Sequence, residues 1–201
     1  MRFHQTTNHR MFQATTRCGL LFVLLLVTLG GQAVWAQGRL PSMTFGDSPN
    51  ARYRSSGSGI AFPGYLSADV DGRISGGELT SFSVDVDPDI NGPNGFRRFQ
   101  INYRKSPAVI APTVRWYDYG STKKLVISRV RATEYFSGTG IVSNGYADVE
   151  ITFVTGGAGR MVIRYTHSTY SAAPSNPNLR FNGTVCDATP LAGHRLYFTL
   201  N

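Results

Sequence analysis

Two groups of side chains in this sequence have the types and spacing to do chemistry, and they carry opposite charge. Between residues 69 and 89 stand Asp69, Asp71, Glu78, Asp85, Asp87 and Asp89 against a single cation, Arg73. Carboxylate oxygens this close in sequence are hard ligands suited to Ca²⁺. A pair of them at a fixed separation is also what glycoside hydrolysis requires. Between residues 97 and 131 stand nine Lys and Arg side chains against Asp118 alone.

The acidic group has a local pattern. In Ser67-Ala68-Asp69-Val70-Asp71-Gly72-Arg73-Ile74-Ser75-Gly76-Gly77-Glu78, oxygen-bearing side chains fall at positions 1, 3, 5, 9 and 12 of a twelve-residue calcium loop, with Gly72 at position six and Ile74 at position eight. Over this stretch the sequence resembles an EF-hand loop. It departs from that pattern with Ser at position 1 and with Gly76-Gly77 where an exit helix would begin. The competing reading makes Asp71-Gly72 a hairpin turn between two strands. A second run, Asp87-x-Asp89-x-Asn91-Gly92, also has oxygen-ligand spacing but puts Arg98 where a bidentate Glu belongs. The reading adopted is the turn, with no cofactor required; together the clusters could still hold a structural Ca²⁺ at a strand–loop junction, with ligands from Asp69, Asp71, Glu78, Asp87, Asp89 and Asn91. The alternative is acids solvated on an alternating strand.

The basic group interleaves cations with rings: Arg97, Arg98, Arg104, Lys105, Arg115, Trp116, Tyr117, Tyr119, Lys123 and Lys124. Such a set can grip an anionic polymer, charge tracking the acidic groups while rings stack on sugar faces or bases. Its ordinary alternative is that the rings are core and the cations solvated. For an exported chain the expected partner is a glycan, a matrix polymer or a cell-surface ligand, and not intracellular nucleic acid.

Catalytic groups are sparse. After residue 36 the histidines are His167 and His194, with no His-x-x-x-His or Cys–His spacing for zinc. No Gly-x-Ser-x-Gly elbow occurs. Gly156-Gly157-Ala158-Gly159 lacks the Lys and Ser/Thr of a phosphate loop. No catalytic residue is assigned; a polysaccharide hydrolase or lyase using two carboxylates is the enzymatic alternative. Cys186 has no second cysteine after residue 36 to pair with, so it is either a buried thiol or the source of an intermolecular disulfide.

These groups must be positioned by strands. Apolar residues recur at every second position in Phe82-x-Val84-x-Val86, Phe99-x-Ile101-x-Tyr103, Ala147-x-Val149-x-Ile151-x-Phe153, Met161-x-Ile163-x-Tyr165 and Leu196-x-Phe198-x-Leu200. This period marks half-buried strands. Asn144-Gly145 and Asp71-Gly72 read as two-residue turns, and Gly156 to Gly159 as a looser one. The prediction is an all-β fold: a single antiparallel β-sandwich, jelly-roll or Ig-like, of about eight strands, with a closed barrel as the alternative. Thr169 to Asn178 is expected to be a surface loop.

The N-terminus carries Arg2, Arg10 and Arg17 with no acid, then an apolar run from Gly19 to Leu29, then Val34-Trp35-Ala36. That is the pattern of a cleaved secretory signal, and the run is too short for the roughly 20 residues of a membrane span. Residues 1–36 are therefore read as signal, 37–59 as a flexible lead-in and 60–201 as the β domain, in a secreted, periplasmic or surface-associated product. Without the signal, 17 basic and 12 acidic side chains leave a net charge of +5.

Overall fold

A computed structural model of the protein describes residues 37–55, 64–88, 97–136, 140–171 and 182–201. Residues 1–36, 89–96 and most of the stretch expected as a loop before Asn182 lie outside them. Twelve strands are described: β1 (Gln37–Gly38), β2 (Met43–Asp47), β3 (Arg52–Ser55), β4 (Gly64–Ser75), β5 (Glu78–Pro88), β6 (Arg97–Arg104), β7 (Thr113–Tyr119), β8 (Thr122–Phe136), β9 (Ile141–Val154), β10 (Arg160–Tyr170), β11 (Asn182–Pro190) and β12 (Leu196–Leu200). Every pairing is antiparallel. No helix occurs among the described residues, so none is long and apolar enough to cross a membrane.

The architecture corrects the expected sandwich of about eight strands: there is one continuous sheet of twelve. Following the pairings β8–β6–β5–β4–β3–β11–β10–β9 leads back to β8, a closed hydrogen-bonded ring. Period-two alternation reports one buried face per strand, and that is the same in a sandwich and a barrel. What decides between them is that long strands change partners along their length. The first half of β8 pairs with β7 and its second half with β6. Similarly, β3 pairs with the start of β4 and β2 with its end. The branches β12–β2 and β1–β7 therefore leave the ring and pack on each other. Between them lies an aromatic cluster, with Phe45 5.7 Å from Phe82, Trp116 5.4 Å from Phe198 and Phe153 5.2 Å from Phe198.

The alternating apolar positions from Phe82 to Tyr165 are buried as their spacing predicts, whereas Leu200 at the chain's end is exposed. Two turn assignments are corrected. Gly72 lies inside β4, and Asn144 and Gly145 lie inside β9. A Cβ on Gly72 would stand 2.1 Å from Cζ of Phe45, so glycine is there to admit a ring. The β4–β5 hairpin instead turns at Gly76-Gly77, with φ of 61° and 81°, as a two-residue turn of opposite hand to the common ones requires. The supposed lead-in is also corrected: its described part supplies β1, β2 and β3, with Met43, Phe45 and Tyr53 fully buried. Thr169 and Tyr170 belong to β10.

One buried carboxylate holds the branch point. Between the pairings of β3 and β2, β4 would leave backbone donors unpaired. Ala51 O accepts from Ala68 N (3.3 Å), and Asp47 Oδ1 accepts from Val70 N (3.1 Å), while Tyr53 Oη donates to Asp47 Oδ2 (2.7 Å). Burial pushes the Asp47 carboxyl up to about 6, more than its two hydrogen bonds lower it.

Candidate functional site

The EF-hand-like segment is straight. Ser67 to Ser75 lie in β4 and Glu78 opens β5, so Asp69 and Asp71 point out from mid-strand while Glu78 sits past the turn. Glu78 and Asp87 lie near opposite ends of β5, and Asp89 and Asn91 lie outside the described residues. Among the described residues no three His, Cys, Asp or Glu side chains converge as metal ligands.

The sheet instead gathers acids from two strands onto one outer face. Asp69 pairs across with Asp85, Ser67 with Asp87, and Asp85 in turn with Gln100 on β6. Arg98 straddles them: its Nε donates to Asp85 Oδ1 at 2.8 Å, a terminal nitrogen bonds Asp85 Oδ2, and Asp87 Oδ1 lies 3.5 Å from Nε. Gln100 Nε2 donates to Asp85 Oδ2 at 3.0 Å. This is a bidentate guanidinium–carboxylate pair with a third donor fixing it. Burial raises the Asp85 carboxyl, but hydrogen bonds from Arg98 and Gln100 outweigh it and hold the group below its ordinary value. Asp87 goes the other way, raised by burial and by the Asp85 charge, with Arg98 only partly offsetting them. The pair walls a groove of about 620 Å³ that also takes in Asn50, Arg52, Ser67 and Asp69.

The basic–aromatic set is dispersed. Arg98 belongs to the acidic face, and the side chain of Arg97 lies outside what is described. At the far end of β6, Lys105 pairs with Glu78 and Arg104 is exposed. Trp116 points inward and is 5% exposed. Lys123 pairs with Asp118, and Lys124 with Glu150 at 2.9 Å. What remains outward on β7 is Arg115 with Tyr117 and Tyr119, whose rings are parallel within 3° at 6.2 Å.

Two clusters were not foreseen. The first is the outer face of β8, β9 and β10. A bulge between Ile127 and Val130 puts Arg129 at φ 59°, its N–H donating to Asp148 Oδ1 at 2.9 Å and its guanidinium 5.4 Å from the Tyr146 ring centroid. Arg131 pairs across with Tyr146, and Arg164 with Asp148. Arg129 and Arg131 stand in the basic run, but Tyr146 and Arg164 come from other strands, so only the register joins them. The second cluster is internal. Ser143 Oγ is 3.0 Å from Tyr165 Oη and 3.0 Å from His167 Nδ1, and Glu134 stands opposite Ser143 in the β8–β9 ladder. Ser143 and Glu134 are fully buried. A serine beside a histidine is the geometry of an activated nucleophile, but here the hydroxyl has no exposed surface and works as a polar strut inside the ring.

Cys186 is likewise fully buried, its thiol pushed up to about 12 by burial and by Asp187, which fits the inert thiol and not an intermolecular disulfide. No protein-family model matches the chain, and no curated protein or solved structure matches it.

Proposed function

We propose that this is an exported, non-catalytic binding protein acting at or outside the cell surface as an adhesive, matrix or ligand-binding component. Its ligand is a glycan, and the groove walled by Asp85 and Arg98 is its combining site. The observation that carries the reading is the fixed Asp85–Arg98–Gln100 arrangement. A rigid carboxylate beside a rigid guanidinium offers acceptors and donors side by side, the complement of adjacent sugar hydroxyls, each of which both donates and accepts. Because the pair is held before ligand arrives, little side-chain entropy is lost on binding.

Probing the purified protein against an array of neutral and charged glycans tests this. Binding that is lost in Asp85→Asn and in Arg98→Gln, with both variants still folded at the assay temperature, supports the reading; retention in both variants, or no binding to any glycan, rejects it. In a calcium-dependent version of the same reading, built around Asp69, Asp71, Glu78 and Asp87, binding and melting temperature rise with millimolar Ca²⁺ and fall again with EDTA.

One observation favours a second reading. Asp85 and Asp87 are tuned in opposite directions, as acid and nucleophile carboxylates are in polysaccharide hydrolases. Release of reducing or unsaturated ends from a bound polysaccharide, abolished by Asp87→Asn, would identify an enzyme; binding without product keeps the protein a binder.

A further inference from the structure

The arginine face of β8–β9–β10 is a second binding surface, independent of the groove: we infer that it takes the anionic groups of an acidic polysaccharide. The grouping of unpaired cations on neighbouring strands singles it out. Arg98, Lys105, Lys123, Lys124 and Arg160 all have carboxylate partners. Arg129, Arg131 and Arg164 are exposed and form no ion pair among the described residues, while the one acid between them, Asp148, accepts the Arg129 backbone N–H. Three guanidinium groups against one carboxylate leave the face positive in a region where solvent alone compensates the charge.

The backbone points the same way. A non-glycine residue at positive φ costs on the order of 1 kcal/mol, and such residues gather at functional sites. Here the strained residue belongs to a bulge, a device that re-aims side chains. It lays the Arg129 guanidinium on Tyr146 and brings it beside Arg131. Neighbouring strands are about 4.8 Å apart and successive residues about 3.4 Å apart, so two strand steps and the two-residue offset from Tyr146 to Asp148 set Arg131 and Arg164 roughly 12 Å from one another. That spacing suits charges repeated along a polymer better than one small anion. A shallow depression of about 300 Å³ is lined by Arg131 together with Thr133, Asn144, Ser168 and Thr169, which supply hydroxyl and amide partners for sugar.

Other polyanions fit less well. The Tyr146 ring carries the Arg129 guanidinium, which takes that face from a nucleobase. Among the described residues, no exposed large apolar side chain stands between the three arginines to enter a lipid surface.

The test is binding of the purified protein to heparin, a sulfated polysaccharide, from 50 to 300 mM salt. Neutral dextran, single-stranded oligonucleotide and anionic phosphatidylserine vesicles serve as comparisons. Heparin binding should weaken steeply with salt and fall at least tenfold in the double variant Arg131→Gln/Arg164→Gln. It should change less than twofold in Arg104→Gln/Arg115→Gln, which removes the same charge elsewhere. Asp85→Asn should leave it intact, which separates this surface from the groove. Equal loss in both double variants would show a net-charge effect and overturn the inference. So would unchanged binding in the first, or stronger binding to oligonucleotide or vesicles than to heparin.

Discussion

The outer faces of β4–β5–β6 and of β8–β9–β10 are built from the same alternation, yet they handle charge in opposite ways. On the first, acids outnumber cations, and Asp85 and Asp87 lie against the Arg98 guanidinium, with the Gln100 amide also on Asp85. On the second, the cations outnumber the acids and are left to water. A neutralised face can hold a rigid shape for a ligand that brings no charge; an uncompensated one waits for a ligand that does. On the two readings proposed above, the first face would act by shape recognition and the second by salt-dependent attraction.

The sharpest way to break this contrast is to exchange the salt responses. Binding at the groove should change little between 50 and 300 mM salt, whereas heparin binding should fall by a factor of ten or more, as titrations at several salt concentrations would show. Equal salt slopes would mean that both faces act through net charge.

Stability against pH separates an exposed carboxylate from an enclosed one. Asp85 sits below its ordinary value, so its contribution is present above about pH 4 and is lost as the solution is acidified through its folded-state pKa. Asp47, raised to about 6, runs the other way: its contribution belongs to the protonated form, is full below 3.8 and is lost as pH rises through 6. Asp47→Asn keeps the acceptor for Val70 N and a partner for Tyr53. It should raise stability at pH 7.5 by on the order of 1–2 kcal/mol, allowing for solvent screening, and change little at pH 3.5. Denaturant unfolding at the two pH values checks both halves.

The bulge yields a smaller effect of mixed sign. Arg129→Gly removes the cost of a side chain at positive φ and should stabilise the fold or leave it unchanged, by about 0–1 kcal/mol, while weakening heparin binding. If Arg129→Gly destabilises the fold, the arginine is there for structure and not for a partner. Smallest of all is Arg164→Gln, for which the stability change should stay within about 0.5 kcal/mol because an exposed unpaired cation holds nothing in place.

Much of this was legible in the sequence, and what was not has physical reasons. Phe82, Val84 and Val86 declare their burial because their neighbours Ser81, Ser83, Asp85 and Asp87 are polar. In β3 the same period is hidden: Tyr53 is flanked by Arg52 and Arg54, and so few residues look like a polar tail. Asp71-Gly72 and Asn144-Gly145 are good turn dipeptides that tertiary packing overrode. The first lies under Phe45; in the second, a Cβ on Gly145 would meet Thr166 O at 2.2 Å. The Asp85–Arg98 pair and the arginine face depend on register between strands, which one-dimensional spacing does not carry. For that reason the spacing could not show that Glu78 and Asp87 lie near opposite ends of β5, or that the cationic set is dispersed.

Ring closure also sets a timetable. The seam between β11 and β3 joins Ala188 to Ser55 and Pro190 to Tyr53, so the barrel closes only when segments more than 130 residues apart in sequence meet. Contacts this distant in sequence are slow to form. Until they do, β3 and β11 are unsatisfied edges that any strand can join. A chain that cannot fold early remains threadable, which is what passage through a translocation channel demands of the exported protein proposed above. The same delay makes encounters between unfinished copies the main hazard on the way to the native state.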